Sequence, residues 1–132
     1  MTIRLDHTIV PARDKVVSAQ FFADIFGLTV KRGYFAQVRV NDHLTLDFAD
    51  EDFAWGEPGS DSGPSTHYAF HVSDAEYEAI LGRVKARGLA YGSEPDDHAN
   101  GRVNRRRGGR GFYFEDPAGH LLEVMTVPET GS

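Results

Sequence analysis

The chain has 132 residues, enough for one compact domain with a real core, and a net charge of −6, which disfavours nucleic acid as its main partner. Its 40% hydrophobic and 26% charged residues are typical of a globular protein, and no stretch approaches the roughly 20 apolar residues that a membrane span requires. The absence of cysteine excludes disulfides, thiolate metal ligands and a cysteine nucleophile. The start, "MTIRLDHTIV", has no signal-peptide pattern, so the sequence predicts a cytoplasmic protein.

The first half of the chain predicts a strand, a helix and further strands. Residues 3–10, "IRLDHTIV", alternate so that His7 and Ile9 share one face of a strand. Asp14 can then cap a helix whose apolar residues recur at helical spacing, and Gly27 can end it. Two alternating segments, "FAQVRVN" and "LTLDF", follow as strands with a tight connection between them.

The same order returns after a segment rich in Gly, Pro and Ser. "HYAFHV" predicts a strand, Ser73 and Glu76 form a capping-box signature, and "GFYFEDPAGHLLEVMTV" predicts two strands joined by a turn. A strand, a helix and a run of strands, given twice, predicts a duplicated α+β unit. We place module one at about residues 1–50, the linker at 51–65 and module two at about 66–128.

Alternation puts a set of polar side chains on the sheet face opposite the predicted helices: His7, Asp47, His67, His71 and Glu123. His7 and His67 precede their helices at matching positions, and Asp47 and Glu123 each lie in the middle of the last strand of their module. Two imidazoles with one or two carboxylates suit a divalent metal such as Zn, Ni, Mn or Fe. Hydrogen-bonded structural histidines are the alternative, and His71 fits a wall residue better than a ligand. The turn and loop histidines are predicted to face solvent: His43, His98 and His120.

Five arginines lie within residues 102–110, three of them consecutive, Arg105, Arg106 and Arg107. A solvated loop is one interpretation of this segment, and a mobile cationic lid that binds an anionic ligand is the other. No aromatic residue is interleaved among the arginines, which disfavours a stacking platform for single-stranded nucleic acid.

Four segments, in order and over nearly the whole chain, carry a family resemblance: "LDHTIVPARD", "AQFFADIFGLTV", "THYAFHVSD" and "GFYFEDPAGHLLEV". They resemble the vicinal oxygen chelate superfamily of glyoxalases, bleomycin-resistance proteins and extradiol dioxygenases. The resemblance implies paired βαβββ modules that form a U-shaped mixed sheet around a central cleft, with His7, His67 and Glu123 as metal ligands. Asp47 falls where glyoxalases carry a fourth ligand, usually a glutamate.

Within this superfamily the motifs look closest to the fosfomycin-modifying thiol transferases. The segments "STHYAF" and "GFYFEDPAGHLLE" carry this likeness, and Tyr113 matches a tyrosine that lines the pocket of those enzymes. Ile9 stands where they have a catalytic threonine, and "GRVNRRRGGRG" replaces their potassium-binding loop. The resemblance therefore carries over the metal site, and it leaves the substrate and the catalytic residues open.

Two functions are compatible with these features. The first is a divalent-metal-dependent enzyme that chelates and polarises a small, oxygen-rich, anionic substrate, as a lyase, a transferase or a dioxygenase. The substrate-binding residues predicted for it are Tyr113, His71, Arg105, Arg106 and Arg107. The alternative is a metal-free, drug-sequestering protein of the same fold, with stacking surface from Phe53, Trp55 and Tyr113. The retained His-His-Glu set favours the enzyme, and the resemblance also implies a homodimer whose sites can be shared between subunits.

Overall fold

The structure is a computed structural model that describes residues 3–50 and 66–129. The chain divides into two compact units, the first up to residue 64 and the second from residue 65. In its described part, each unit combines one α-helix with one mixed β-sheet, which confirms the duplicated α+β organisation. No helix of the described part is long and apolar enough to cross a membrane. The segment interpreted as a linker, with Phe53 and Trp55, lies outside the described residues.

The first unit is a four-stranded sheet with one crossover helix. Its elements are β1 (His7–Ala12), α1 (Lys15–Phe26), β2 (Val30–Lys31), β3 (Ala36–Arg39) and β4 (Thr45–Asp50). The strand order is β1-β4-β3-β2, with β1 parallel to β4 and the other neighbours antiparallel. A parallel pair needs a crossover connection between its strands, and α1 lies in that connection.

Helix α1 begins and ends where the local sequence predicts. The Asp14 carboxylate accepts hydrogen bonds of 3.0 and 3.2 Å from two backbone N–H groups of the first turn. Gly27 ends the helix in the left-handed region, with φ 74°, where a side chain would be strained. Phe22 stacks on the next turn of the helix and lies 6.0 Å, between ring centroids, from Phe48 of β4, so the apolar stripe of α1 packs on the sheet.

The second unit repeats this plan with three strands. Its elements are β5 (His67–His71), α2 (Asp74–Ala86), a single 3-10 turn (Arg106–Gly108), β6 (Gly111–Glu115) and β7 (Leu121–Met125). The order is β5-β7-β6, with β5 parallel to β7 and β6 antiparallel to it. The capping box of α2 is present in full, because each of Ser73 and Glu76 accepts a hydrogen bond on its side chain from the other's backbone N–H.

The strand that would correspond to β2 is reduced, in the described part of the second unit, to one bridge between Gly92 and Tyr113. The backbone groups of the next residue, Ser93, are bonded to side chains instead of a neighbouring strand. Its N–H donates to the amide oxygen of Asn100 at 3.1 Å, and its carbonyl accepts from the amide of Asn104 at 3.0 Å. Because its N–H and carbonyl groups are bonded to side chains, Ser93 does not form the hydrogen bonds that would continue the strand pairing.

The strand registers separate an apolar sheet face from a polar one in each unit. Residues on the helix side are buried: Val10, Val38, Leu46 and Phe48 in the first unit, and Phe112, Phe114, Leu122 and Val124 in the second. In the second unit the ring of Tyr77 on α2 packs edge-on against Phe112, with centroids 5.5 Å apart. The opposite faces carry the polar residues that alternation places there.

His120 is buried, and the expectation that it faces solvent is wrong. It precedes β7 with the same parity as Leu122, so its ring points to the helix side of the sheet. Its Nδ1 accepts a hydrogen bond of 3.0 Å from the backbone N–H of Thr66, and its ring packs edge-on against Tyr68. The turn before it is closed by Asp116, which accepts from the backbone N–H of His120 at 2.8 Å. Burial raises the pKa of Asp116.

Candidate metal centre

His67 and Glu123 form a side-chain pair on the face of the second sheet that lies away from α2. Ala69 pairs with Glu123 across β5 and β7, so His67, two residues earlier, is the diagonal neighbour of Glu123 on the same face. The distance between His67 Nε2 and Glu123 Oε1 is 3.0 Å. The Glu123 side chain is only 11% exposed, whereas that of His67 is 47% exposed.

The backbone holds the other ring nitrogen of His67, Nδ1, and this contact determines which ring nitrogen carries the proton in the neutral imidazole. Nδ1 lies 3.0 Å from the carbonyl oxygen of Leu121. A carbonyl oxygen only accepts, so Nδ1 carries a proton, and in the neutral ring the lone pair of Nε2 faces the Glu123 carboxylate. Two lone pairs at this distance need a proton, on either Nε2 or the carboxyl group, or a metal ion between them. A backbone-held imidazole beside a carboxylate is the usual arrangement of metal-ligating histidines, so these residues fit a divalent metal.

Tyr113 completes this part of the site. It pairs directly with Glu123 across β6 and β7, and its ring stacks on the imidazole of His67 with centroids 6.0 Å apart. Burial, and then the negative charge of Glu123, raise the pKa of Tyr113, so the phenol keeps its proton at neutral pH. Arg106 Nη1 donates a hydrogen bond of 2.6 Å to the Tyr113 hydroxyl.

The first unit carries the equivalent positions on β1 and β4. His7 pairs with Thr45, and Asp47 lies two residues further along, so His7 and Asp47 share a face as His67 and Glu123 do. His7 Nδ1 lies 2.7 Å from the Asp6 carboxylate, and this hydrogen bond is the main cause of a raised pKa of His7. Since Nδ1 is held by an oxygen here too, Nε2 is the nitrogen that offers a lone pair when the ring is neutral.

Gln37 is a site residue that sequence reasoning missed. It pairs with Asp47 across β3 and β4, and its Nε2 donates a hydrogen bond of 3.0 Å to Asp47 Oδ1. This is the position that Tyr113 holds beside Glu123 in the second unit. Alternation in "FAQVRVN" already put Gln37 on the polar face, and counting back from the tight connection would have placed it opposite Asp47.

The remaining candidate residues have different surroundings. His71 lies on the same face of β5 as His67, and its Nε2 is 3.2 Å from the carbonyl oxygen of Thr126. Neither unit by itself, over its described residues, gathers three side chains of the His, Cys, Asp and Glu types into a metal cluster. The second unit thus supplies two candidate ligands, His67 and Glu123, and the third, His7, belongs to the first unit.

The arginine-rich segment is tied into the second unit at both of its ends. Asn104 and Gly111 exchange two backbone hydrogen bonds of 2.8 and 3.1 Å. Arg106 is half-buried, and its guanidinium is ion-paired with Glu94 as well as bonded to Tyr113. Arg105 and Arg107 are exposed, and Arg107 adopts the left-handed conformation at φ 56°.

A family model for the Glyoxalase/Bleomycin resistance protein/Dioxygenase superfamily matches residues 4–124. The chain belongs to this superfamily. It is 26% identical over 124 residues to the glutathione transferase FosA of Serratia marcescens, covering 91% of this chain and 78% of that protein. The fosfomycin resistance protein FosX of Mesorhizobium loti, at 22% identity and a TM-score of 0.67 over 98% of this chain and 97% of its own, shares the fold. The resemblance inferred from the motifs is confirmed, including its closeness to fosfomycin-modifying enzymes.

Two solved structures are more similar, and both are named oxidases. Oxidase ChaP-H2 is 43% identical, with a TM-score of 0.85 over 97% of this chain and 96% of its own. Oxidase ChaP-H1 is 42% identical, with a TM-score of 0.86 over 98% of this chain and all of its own. The proteins similar to this chain therefore include one named as a transferase and two named as oxidases.

Proposed function

We propose that this chain is a metal-dependent oxidase of a small, oxygen-rich organic molecule, with His7, His67 and Glu123 as the metal ligands. The observation that carries the proposal is the His67–Glu123 pair, whose nitrogen and oxygen face each other at 3.0 Å while the backbone holds the other ring nitrogen. The sequence left lyase, transferase and dioxygenase chemistry open. Similarity above 40% to two proteins named oxidases favours an oxidative reaction, with dioxygen as the electron acceptor.

The donor set favours iron among the metals that the sequence left open. Two neutral imidazoles and one carboxylate with open positions are typical of non-haem Fe(II) oxygenases, whereas Zn(II) has no redox chemistry. Bound there, the metal would supply Lewis acidity and redox chemistry beside an open coordination position. Asp47, buried and hydrogen-bonded to Gln37, is the candidate for a fourth ligand.

The other residues of the site bind and orient the substrate in this proposal. The ring of Tyr113, buried and stacked beside His67, backs the place proposed for the substrate, and the exposed ring of His71 lies further along the same face of β5. The exposed side chains of Arg105 and Arg107 neutralise an anionic group of the substrate. Arg106 adds its charge to the same segment while its guanidinium stays with Glu94 and Tyr113.

Metal content, measured by elemental analysis of the purified protein, tests the ligand set. His7→Ala, His67→Ala and Glu123→Ala are each expected to abolish stoichiometric metal binding, because each removes one of three ligands. His43→Ala and His98→Ala, in loops, are the matched controls and are expected to leave it intact. Full metal retention by His67→Ala would rule out the assignment. A protein that binds aromatic drugs without metal would support the sequestering alternative.

Dioxygen consumption tests the reaction class separately. The Fe(II)-loaded protein is expected to consume dioxygen with hydroxylated aromatic acids, and the Zn(II)-loaded protein is expected not to, because Zn(II) has no redox chemistry. Equal turnover of a substrate with Zn(II) would favour a lyase or a transferase over an oxidase.

We also propose a symmetric homodimer with two equivalent metal sites. The support is that candidate ligands are divided between two similar units, so two chains can exchange units at small cost in contacts. If sites are shared, mixing His7→Ala chains with Glu123→Ala chains regenerates one intact site per heterodimer. A monomer in sedimentation at micromolar concentration would exclude the dimer. Proven heterodimers that recover no metal would exclude only the sharing.

A further inference from the structure

Arg106 is held between two side chains of the second unit. Its guanidinium forms an ion pair with Glu94 on one side and donates from Nη1 to the Tyr113 hydroxyl, at 2.6 Å, on the other. The centre of the guanidinium also lies 5.4 Å from the centroid of the Tyr113 ring. These three contacts fix the guanidinium at the edge of the site instead of leaving it available to a ligand.

The contact with Arg106 determines where the proton of the phenol points. A guanidinium has only donors, so the Tyr113 oxygen must accept from it, and its own O–H has to find another acceptor. Glu123 lies directly opposite Tyr113 in the strand pair, so its carboxylate is on the same sheet face and in position to accept this proton. The negative charge of Glu123 also contributes to the raised pKa of Tyr113, after burial. Glu123 in turn presents Oε1 to His67. These side chains therefore follow one another in the order Glu94, Arg106, Tyr113, Glu123 and His67, with Tyr113 and Glu123 as cross-strand neighbours.

We propose that Arg106 is a positioning residue for the metal ligand Glu123, acting through the hydroxyl of Tyr113. This assignment rests on the proposed metal site and gives Arg106 a role different from the substrate contact that the sequence suggested. Hydrogen bonds to a ligating carboxylate fix its orientation, and their loss typically weakens metal binding about 10- to 100-fold.

The neighbouring arginines provide the contrast that isolates this role. Arg105 and Arg107 are exposed and carry the same charge one residue away, whereas Arg106 is half-buried. The backbone N–H of Arg106 donates to the amide oxygen of Asn104 at 3.2 Å, and this bond begins the 3-10 turn that aims the side chain at β6. An effect of long-range charge would be common to all three arginines, and an effect of position would be confined to Arg106.

The first experiment measures the binding of Co(II) alone, by calorimetry and by the visible absorption of the bound ion. Arg106→Met and Tyr113→Phe are each expected to weaken Co(II) binding about 10-fold and to change the absorption intensity, which reports ligand geometry. The double variant is expected to be no weaker than either single one, because both act through the same contact. Arg105→Met is the matched control, with an expected change of less than about twofold.

The second experiment needs no metal. In the metal-free protein, the losses of melting temperature caused by Tyr113→Phe and Glu123→Gln are expected to be non-additive by about 3 °C, and to become additive once Arg106→Met is present. Additive losses with Arg106 intact overturn the positioning role, as do equal effects of Arg105→Met and Arg106→Met on Co(II). If the wild-type protein binds no Co(II), the proposed metal site is wrong. The contact that orients Glu123 is still supported in that case if Arg106→Met abolishes the non-additivity between Tyr113→Phe and Glu123→Gln.

Discussion

Gly82 and Gly92 allow the same chemical change, Gly→Ala, to be made at two sites with opposite expected results. Gly92 is buried and exchanges two backbone hydrogen bonds with Tyr113, of 2.9 and 2.8 Å. A Cβ there would lie 2.3 Å from the carbonyl oxygen of Asp97 and 2.6 Å from backbone atoms of His98. Gly82 lies inside α2, and a Cβ there would meet nothing within 4 Å.

The magnitudes follow from these distances. Ordinary contact begins near 3.4 Å, so the backbone around Asp97 must retreat by about 1 Å from an alanine at position 92. Overpacking of this kind costs about 1–3 kcal/mol, and a weakened hydrogen bond of the bridge adds about 1 kcal/mol. Gly82→Ala removes a glycine from a helix interior and stabilises by about 0.5–1 kcal/mol. We therefore expect the two variants to differ by about 2.5–5 kcal/mol in the free energy of unfolding.

Urea unfolding followed by circular dichroism, with thermal melts alongside, measures this difference. At this chain length 1 kcal/mol corresponds to about 4 °C, so the melting temperatures are expected to lie more than about 10 °C apart, with the wild type between them. Because Gly92 is bonded to Tyr113, Gly92→Ala is also expected to weaken Co(II) binding, whereas Gly82→Ala leaves it unchanged. Free energies of unfolding within about 0.5 kcal/mol of each other would refute the reasoning, since they would show that the backbone at Asp97 yields without cost.

Three further predictions concern single side chains. The hydroxyl of Tyr77 is buried with no hydrogen-bond partner among the described residues, so Tyr77→Phe is expected to raise the free energy of unfolding by about 1 kcal/mol in urea titrations; a clear loss would contradict this. A hydrogen bond to Glu115 raises the pKa of His98, so this pair stabilises the fold below the unfolded pKa near 6.5 and loses that effect as pH rises through the folded value. The pair is largely exposed, so its contribution is small: His98→Gln is expected to lower the free energy of unfolding by about 0.5 kcal/mol at pH 5.5 and to leave it unchanged at pH 8. The same pH dependence of unfolding in wild type and variant would exclude this contribution. Arg105→Met with Arg107→Met is expected to weaken binding of inorganic phosphate more at low than at high ionic strength, and a salt-independent loss would argue against screened charge.

The sequence by itself determined the features that depend on neighbouring residues. The N-cap at Asp14, the capping box at Ser73 and the left-handed end at Gly27 each involve atoms within a few residues, and all three are present. Alternation likewise assigned His67 and Glu123 to one sheet face, because a strand turns each successive side chain to the opposite side. The duplicated unit followed from the repetition of these local signals along the chain.

Only the tertiary structure decided which distant residues meet. The contact of Arg106 with both Glu94 and Tyr113 depends on how a loop of more than ten residues closes, and a run of arginines in the sequence shows only charge. The burial of His120 could be predicted only from the geometry of the turn at Asp116, which continues the side-chain alternation of β7 to His120. The edge strand is reduced to a bridge at Gly92 because two asparagine side chains, distant in sequence, form hydrogen bonds with the backbone of the next residue. Local patterns fix conformation and face, whereas partners at long range are set by loop closure, which the sequence pattern does not encode.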